Sequence, residues 1–396
     1  MTPTWKDVMK FELPDNPIIF DIGGFNGDWT QIALDEYTAP TIYVFEPVKQ
    51  FYEKIKKRYA DKKNVKVFHF GLSDSTTSLE ISVSGDASSV FKTNGASETI
   101  QLKSIVEFMK EEGVYHVDLA KINIEGEEYR LLEHLVKLPE LNIFNNFLIQ
   151  FHKFVDNYEE RRRLIQKELS KYYDMPFNFE MIFEGWSNKK VELINCVGDS
   201  HVSNFANTEK LTDMKVPSIN NMFKTYRAGP YTAFNVNQKS DVKNYIESIS
   251  DKESLLICFG EIDCRAQVKK VMENTNRKYR EVIDEIIDNY IDIIQNFKGD
   301  NVYLCSITPC IEDKPHWYYY ESHQEAFDCP KGTKEERNSY KEYFNEKLKS
   351  ISSKKGYKFI SIFDYVKDRK DFYLDDIHLS PKKVNYLIRR EVLKLA

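Results

Sequence analysis

Apolar residues recur along this chain as short runs, each closed by glycine, an acid or proline and followed by a stretch of helical period. Residues 18–22 (IIFDI) are too apolar to face water and read as a strand buried on both faces of a parallel sheet. Residues 41–45 (TIYVF), 65–70, 147–151, 177–183, 191–197, 255–259 and 302–307 read as further strands. Residues 28–34, 105–109, 158–172 and 279–297 read as helices. In the last, Val282, Ile286, Tyr290, Ile293 and Phe297 recur at helical spacing opposite Asp284, Asp288 and Asp292. Leu79, Ile81 and Val83 instead alternate with polar residues, which predicts a hairpin-like excursion before a loop at 85–89. Strands alternating with helices predict the α/β class.

A chain of 396 residues exceeds one typical domain. A shift to polar turn residues at 184–190 places the boundary and predicts two tandem domains, 1–188 and 189–396. Within the second, 309–332 reads as an irregular segment carrying Trp317, Tyr318, Tyr319 and Tyr320, and 354–363 as a return to strand.

Composition changes the picture mainly by exclusion. Hydrophobic residues at 41% can fill two cores, so disorder is not expected. A net charge of −6 gives no general attraction to nucleic acid. The nearest basic block, Arg161 to Arg163, sits among Glu159, Glu160 and Glu168 and reads as a solvated helix face. No apolar run is long enough to span a bilayer and MTPTWKDVMKFEL lacks a signal-peptide pattern, so a cytoplasmic protein is expected. All six cysteines lie in the second half. Cys196, Cys258 and Cys305 fall inside apolar runs as small hydrophobes, and none shows zinc-ligand spacing. No disulfide framework is expected, with a Cys310–Cys329 pair left open.

The first chemical signal is the turn after residues 18–22. Gly23, Gly24 and Gly27 allow close ligand approach and positive φ, and the helix start behind them favours an anion such as a carboxylate. Glu46 lies 25 residues beyond Asp21, at the tip of the second strand, and Pro47 stops the strand there. An acid about 20 residues past a glycine turn accepts hydrogen bonds from ribose hydroxyls in nucleotide-binding βαβ units. Lys121, Asn123 and Glu125, spaced by two, should share one side of a strand end, with Gly126 allowing close approach. His152 ends the strand 147–151 at the edge where such sheets bind ligands.

DIGGFNGDW, FEP, LSD, the loop with Ser88 and Ser89, and KINIEGEE together resemble the FkbM family of S-adenosylmethionine-dependent O-methyltransferases, over roughly residues 14–185. The resemblance implies a Rossmann-like sheet and S-adenosylmethionine as cofactor. It places Asp21, Gly23, Gly24 and Gly27 along the methionine end, Glu46 on the ribose and Asp74 near the adenine. The family pattern is Lys-x-Asp-x-Glu-Gly; here Asn123 stands in the Asp position, which leaves metal dependence open. Methyl transfer from a sulfonium is an in-line displacement that needs alignment and a proton acceptor. His152 and Glu125 are the candidate bases. Lys121 either orients the acceptor or pairs with Glu125.

The second half begins with residues 191–197 running into Gly198-Asp199-Ser200-His201, a strand-to-helix turn that exposes a hydroxyl above the sheet. Asp375 and His378, three apart near the C-terminus, have the spacing for an acid to orient an imidazole, and Gly229 offers a backbone N–H to an oxyanion. This order resembles the SGNH (GDSL-like) hydrolase superfamily over residues 191–396. The resemblance implies a flavodoxin-like three-layer domain with Ser200 as nucleophile, His378 as base and Asp375 as its orienter. Its third motif, Gly-x-Asn-Asp, reads Gly260-Glu261-Ile262-Asp263 here, so Ile262 replaces an oxyanion donor; Arg265 is a conceivable substitute or a salt-bridge partner. Both families imply a hydroxylated, carbohydrate acceptor such as a surface glycan. The expected function is O-methylation with O-acetyl removal by the second domain; the alternatives are a methyltransferase with a non-catalytic glycan-binding module, and a scaffold in which neither site works.

Overall fold

A computed structural model describes residues 8–83, 96–180, 182–206, 208, 210–215, 218–219, 222–312 and 329–395. The chain divides into two compact units, Met1–Lys190 and Val191–Ala396. Among the described residues no helix is long and apolar enough to cross a membrane. Parts of the sequence reading lie outside the described residues: most of the N-terminal MTPTWKDVMKFEL stretch, the 85–89 loop with Ser88 and Ser89, and Trp317 with Tyr318, Tyr319 and Tyr320.

The first unit is α/β. Its strands are β1 (Ile18–Ile22), β2 (Thr41–Phe45), β3 (Val65–Phe68), β4 (Gly71–Ser73), β5 (Thr77–Val83), β6 (Ala96–Ser104), β7 (Leu119–Ile122), β8 (Asn146–Ile149), β9 (Tyr173–Phe179) and β10 (Phe183–Asn188). Its helices are α1 (Asp28–Glu36), α2 (Lys49–Arg58), α3 (Ile105–Glu111), α4 (Glu128–Leu135) and α5 (Tyr158–Leu169). Seven strands form one sheet in the order β3-β2-β1-β7-β8-β10-β9, with β10 antiparallel to both its neighbours. β1 sits between β2 and β7, both parallel to it, so the chain crosses to opposite sides after this strand. Such a switch point opens a crevice at the carboxyl ends of the strands. Phe20 packs on Phe45 and Phe108 on one face of the sheet (centroids 5.2 and 5.9 Å), while Ile19 joins Trp29 and Val44 in a cluster on the other. The excursion forms its own sheet, β4-β6-β5, in which Leu79 and Ile81 of β5 and Ile100 and Leu102 of β6 pack with Val48 and Phe51.

The reading of 184–190 as turn residues is corrected. Glu184 to Asn188 belong to β10, and Trp186 is buried where β10 pairs with Phe147 of β8. Glycine, serine and asparagine disguised a strand whose stability comes from its two neighbours. Nor is the Arg161–Arg163 face merely solvated: Arg162 pairs with the buried Glu184 and Arg161 with Glu133.

The second unit is also α/β: β11 (Ile194–Gly198), β12 (Ser218–Ile219), β13 (Phe223–Arg227), β14 (Ser254–Cys258), β15 (Val302–Cys305) and β16 (Lys358–Ile360), in the order β12-β13-β11-β14-β15-β16. All pairs are parallel except β12 with β13. Its helices are α6 (Ser240–Glu247), α7 (Val268–Thr275), α8 (Tyr279–Asp292), α9 (Lys334–Lys355), α10 (Phe363–Val366) and α11 (Pro381–Leu393). A capping box at Thr333 and Glu336 starts α9, and Gly356 at φ +73° ends it, so the strand expected over 354–363 begins only at Lys358. All six cysteines are buried and none forms a disulfide, Cys310 and Cys329 included.

Candidate functional sites

In the first unit the N–H groups of Gly23 and Gly24 both donate to the carbonyl of Phe45 (3.0 and 3.1 Å), tying the turn after β1 to the end of β2. Gly23 lies at φ +87°, and a Cβ there would stand 2.0 Å from the carbonyl oxygen of Asn123. A Cβ on Gly24 would meet Val44 at 2.4 Å, and one on Gly27 the Tyr59 ring at 2.9 Å. The glycines are thus demanded by the protein's own packing before any ligand enters. Of the three, only Gly23 lines the cavity beside the turn.

That cavity encloses ≈ 910 Å³ of space open to solvent, between the carboxyl ends of β1, β2 and β7 and the apolar side chains of β5 and β6. Glu46, Glu125 and Glu127 line it, and none of its described lining residues is Lys, Arg or His, a lining that favours a cationic ligand. The expected preference for an anion at the helix start therefore does not describe this cavity. Glu46 accepts hydrogen bonds from the N–H groups of Phe25 (2.7 Å) and Val48 (2.8 Å). Burial pushes its carboxyl up to about 7 despite those donors and the charge of Lys121. A carboxylate has roughly four acceptor positions, so room remains for ligand hydroxyls. Asn123 also lines the cavity, and its buried Oδ1 has no hydrogen-bond partner.

Asp21 and Lys121 stand elsewhere than the sequence reading put them. The Lys121 ammonium, buried, donates to Asp21 Oδ1 (2.9 Å) and to the carbonyl of Gly23 (2.6 Å), and Thr30 donates to Asp21 Oδ2 (2.6 Å). Both side chains lie behind the turn, outside the cavity lining, and Lys121 pairs with Asp21 and not with Glu125. Because β7 ends at Ile122, two-residue alternation does not carry Lys121, Asn123 and Glu125 to one side. Glu125 adopts φ +53°, a costly conformation for a non-glycine residue. Asp74 is held by Arg130 (2.8 Å) and by the hydroxyls of Ser75 and Ser73, which keep its carboxyl below the usual range against burial; it too is absent from the lining.

His152, three residues beyond β8, is clamped by two acids. Its Nδ1 and backbone N–H approach Glu128 Oε1 at 3.0 and 2.9 Å, and Nε2 faces Glu125 Oε1 at 3.5 Å. Burial lowers its affinity for a proton, but the hydrogen bonds and charges of Glu125 and Glu128 prevail and push it up to about 9. Already protonated at neutral pH, it is a poor proton acceptor as it stands. Glu125, at the cavity wall with this cation behind it, is the better placed base. Glu128, fully buried, was missed; it also accepts from the N–H of Gly126 (2.8 Å) and so fixes the whole 125–128 corner.

In the second unit the turn after β11 carries Ser200 as the first residue of a 3-10 segment, Ser200–Phe205. A Cβ on Gly198 would meet the Cys258 carbonyl at 2.4 Å, so the turn crosses directly over β14. Ser200 Oγ stands 2.7 Å from His378 Nε2, and His378 Nδ1 stands 2.9 Å from Asp375 Oδ2. The carboxylate can only accept, so Nδ1–H donates to it and Nε2 is left to accept the serine proton. Asp375 Oδ1 takes the N–H groups of Ile377 (2.8 Å) and His378 (2.7 Å). Burial pushes the Asp375 carboxyl up, yet His378 and these N–H groups hold it down at about 2. The three residues singled out from sequence come together as one relay.

The pairing registers align Arg227, Gly198 and Cys258 across β13, β11 and β14. Gly229, Ser200 and Gly260 each come two residues later, at adjacent strand ends. Ile262 is buried in helical conformation, with no side-chain donor to offer. Arg265 binds the buried Glu261 (2.9 Å), the salt-bridge alternative rather than an oxyanion partner. Asp263 takes the N–H groups of Ala233 (2.6 Å) and Phe234 (3.2 Å), bracing the segment just after Gly229.

Residues 21–173 match the family model described as the Methyltransferase FkbM domain. The first unit carries an FkbM methyltransferase domain. No curated protein matches the chain. Among solved structures it is similar to the carbohydrate acetylesterase Est24 of Sinorhizobium meliloti, at 11% identity over 52% of this chain and 100% of that one (TM-score 0.32). The aryl esterase of M. smegmatis gives 12% identity over 52% and 100% (TM-score 0.33). Aeropyrum pernix fibrillarin bound to S-adenosyl-L-methionine gives 11% over 45% and 69% (TM-score 0.28). Likenesses this slight carry no argument about function. Within the FkbM domain, then, Gly23, Glu46 and Glu125 face the cavity, while Asp21, Gly24, Gly27, Lys121 and Asp74 build its surroundings. Asn123, singled out with Glu125, lines the cavity as well, and Glu127, Phe25 and Phe51 join the lining unannounced by the sequence reading. Among the described residues no cluster of His, Cys, Asp and Glu is arranged to hold a metal ion.

Proposed function

We propose that the FkbM domain is an S-adenosylmethionine-dependent O-methyltransferase acting on a hydroxylated, carbohydrate acceptor, and that the second unit is a serine esterase that removes O-acetyl groups. What supports the first half is the cavity itself: Glu46 at the β2 tip, an apolar wall from β5 and β6, and three carboxylates around a space suited to a cation. S-adenosylmethionine fits this donor set, with Glu46 receiving ribose hydroxyls and the unpartnered Asn123 Oδ1 available to a ligand N–H. When bound it would supply an electrophilic methyl group. The protein's part is to align the acceptor hydroxyl and accept its proton, a task for Glu125 backed by the His152 cation.

The single observation behind the second half is the Ser200–His378–Asp375 relay. Ser200 Oγ would attack the ester carbonyl as its proton passes to His378 Nε2, which returns it to the leaving alcohol; Asp375 orients the ring and stabilises the imidazolium. The Gly229 N–H is the proposed donor to the oxyanion. Ile262 favours a second reading, a glycan-binding module without turnover, since loss of one oxyanion donor costs about 100- to 1,000-fold.

Mass spectrometry of acetylated glycans incubated with the protein and S-adenosylmethionine tests both activities at once. Methyl gain with acetyl loss supports the full reading. Methyl gain alone, with an aryl acetate also untouched, moves the second unit to the binding module. Neither change, with no heat of S-adenosylmethionine binding, leaves the scaffold.

A further inference from the structure

Behind the turn that carries Ser200 lies a small internal cavity, apart from the face the relay uses. Asp199 and His201, the two neighbours of the nucleophile, line it, whereas Ser200 and His378 do not. Ser306 and Thr308, just beyond the end of β15, line it as well. Much of the remaining wall is apolar, from Phe205, Phe259, Ile307, Ile362 and Ile388. The centre of a water-sized sphere has ≈ 10 Å³ in which to move, about the room that one water needs.

Four polar atoms of the lining residues are left unmatched. Asp199 Oδ2, His201 Nε2, Ser306 Oγ and Thr308 Oγ1 are buried and find no hydrogen-bond partner among the described residues. None of the four residues is more than 4% exposed. A buried polar atom without a partner forfeits its hydration for nothing, and such atoms are rare in folded proteins. Four of them around one cavity point to a shared ligand. Glu261 also lines the space, but Arg265 (2.9 Å) and Lys341 (3.0 Å) engage its two oxygens. Cys258 and Cys305 line it too, yet among the described residues no cluster of His, Cys, Asp and Glu is arranged to hold a metal ion.

Water answers this set group by group, since it offers two donors and two acceptors. The Asp199 carboxylate accepts, and each hydroxyl can turn to donate or accept. His201 Nδ1 faces Asp199 Oδ1 at 3.1 Å and so keeps its hydrogen. With Nε2 bare, the water donates to it and to Asp199 Oδ2 and accepts from both hydroxyls. With hydrogen on Nε2, the water accepts from it, donates to Asp199 Oδ2, and the two hydroxyls share the remaining donor and acceptor. One molecule satisfies all four atoms in either case.

The β15 side of the cavity is firmly braced. The Ser306 N–H donates to the Ile360 carbonyl (2.8 Å), and Asn345 of α9 accepts from the Ile307 N–H (2.9 Å) and donates to its carbonyl (3.1 Å). On the side of the nucleophile, Asp199 Oδ1 accepts from the His201 N–H (2.9 Å), while the Asp199 N–H reaches the Cys258 carbonyl only at 3.3 Å. We propose that this cavity is a binding site for one water molecule, which ties the residues flanking Ser200 to the braced end of β15 and makes Ser306 and Thr308 positioning residues for the nucleophile. The water site stands on geometry; its effect on turnover rests on reading the relay as an esterase.

The first test is a crystal structure of the intact chain at a resolution that shows single waters. One peak within about 3.2 Å of at least three of the four atoms is expected. No peak, a peak reaching fewer than three, or one with the anomalous signal of an ion overturns the proposal. The second test compares Thr308→Val, which keeps the side-chain shape without the hydroxyl, with Thr308→Ser, which keeps the hydroxyl. Thr308→Val should lower kcat for an aryl acetate about tenfold at unchanged KM, as the loss of one buried partner implies, and Thr308→Ser should retain most of it. Equal activity in the two variants, whether full or lost, refutes the positioning role. Amide hydrogen exchange at Asp199, Ser200 and His201 should quicken by a similar factor in Thr308→Val alone, with α8 unaffected; unchanged exchange at the turn counts against the tie. That measurement still decides if the wild-type protein hydrolyses nothing and the esterase reading falls. Should Thr308→Val fail to fold, Ser306→Ala against Ser306→Thr takes its place.

Discussion

Both units place their site at the end of the first strand of a parallel sheet, β1 and β11, where the chain crosses to opposite sides, yet they use the position differently. After β1 the chain opens a cavity whose walls are apolar and whose few charges are acids, Glu46 among them fixed by backbone N–H groups. After β11 it closes over β14 and presents one hydroxyl to a short relay whose last member, Asp375, is half exposed. A large ligand needs volume and close backbone; a nucleophile needs one proton path of fixed length. The same βα turn serves either need, according to the residues that succeed the glycine.

The contrast breaks most sharply at Ser200. Ser200→Ala should lower aryl acetate hydrolysis by about 10⁶-fold, as removal of a relay nucleophile does elsewhere, and leave methyl transfer untouched. Esterase activity that survives the substitution would show that the relay is not the site. Next comes Gly23→Ala, where a methyl group would collide with the Asn123 carbonyl at an unfavourable φ. A loss of about 3 kcal/mol or more is expected in urea unfolding of the first unit. Gly229→Ala, whose Cβ would meet the Tyr231 ring at an ordinary 3.4 Å, should cost far less; equal losses would contradict the packing argument.

The clamp on His152 makes a pH prediction. Its folded affinity for a proton, about 9, exceeds the ordinary 6.5, so the clamp's contribution is complete below pH 6.5 and is lost as pH rises through 9. The loss is on the order of 3 kcal/mol. Unfolding measured at pH 6 and pH 10 should show it in the wild type and not in His152→Gln. The smallest effect is at Glu46. Glu46→Gln should weaken S-adenosylmethionine binding by about tenfold, and wild-type affinity should fall as pH drops below about 7, where the carboxyl takes up its proton. Calorimetry that finds affinity flat from pH 5.5 to 8.5 would separate Glu46 from the ribose.

Much of this was legible in the chain. β1, β2 and the start of α1 were signalled by apolar runs and a glycine turn, and the relay by three residues at motif spacing. Hidden were the features that depend on partners distant in sequence. β10 carries Gly185, Ser187 and Asn188 and is a strand because β8 and β9 flank it. The long helix α9 buries Arg337 and Lys341 beside Tyr340 and Phe344, so its polar and apolar residues do not sort onto two faces. Lys121 looked like a site residue because a charge on a central strand is costly; its cost is met by Asp21, 100 positions earlier. Glu128 lay inside a motif whose neighbours drew the chemical reading, and only packing shows that it holds His152 and Gly126 in place.

The contact between Gly23 and the Asn123 carbonyl has a mechanical side. With no room for even a methyl group between them, the turn after β1 and the corner from Asn123 to Glu128 form one rigid body, pinned further by the Lys121 hydrogen bond to the Gly23 carbonyl. A displacement of one is a displacement of the other. The distance between the reacting methyl group and the proton acceptor would then be set like the jaws of a fixed-gap gauge, and adaptation to acceptors of different size would fall to the walls supplied by β5 and β6.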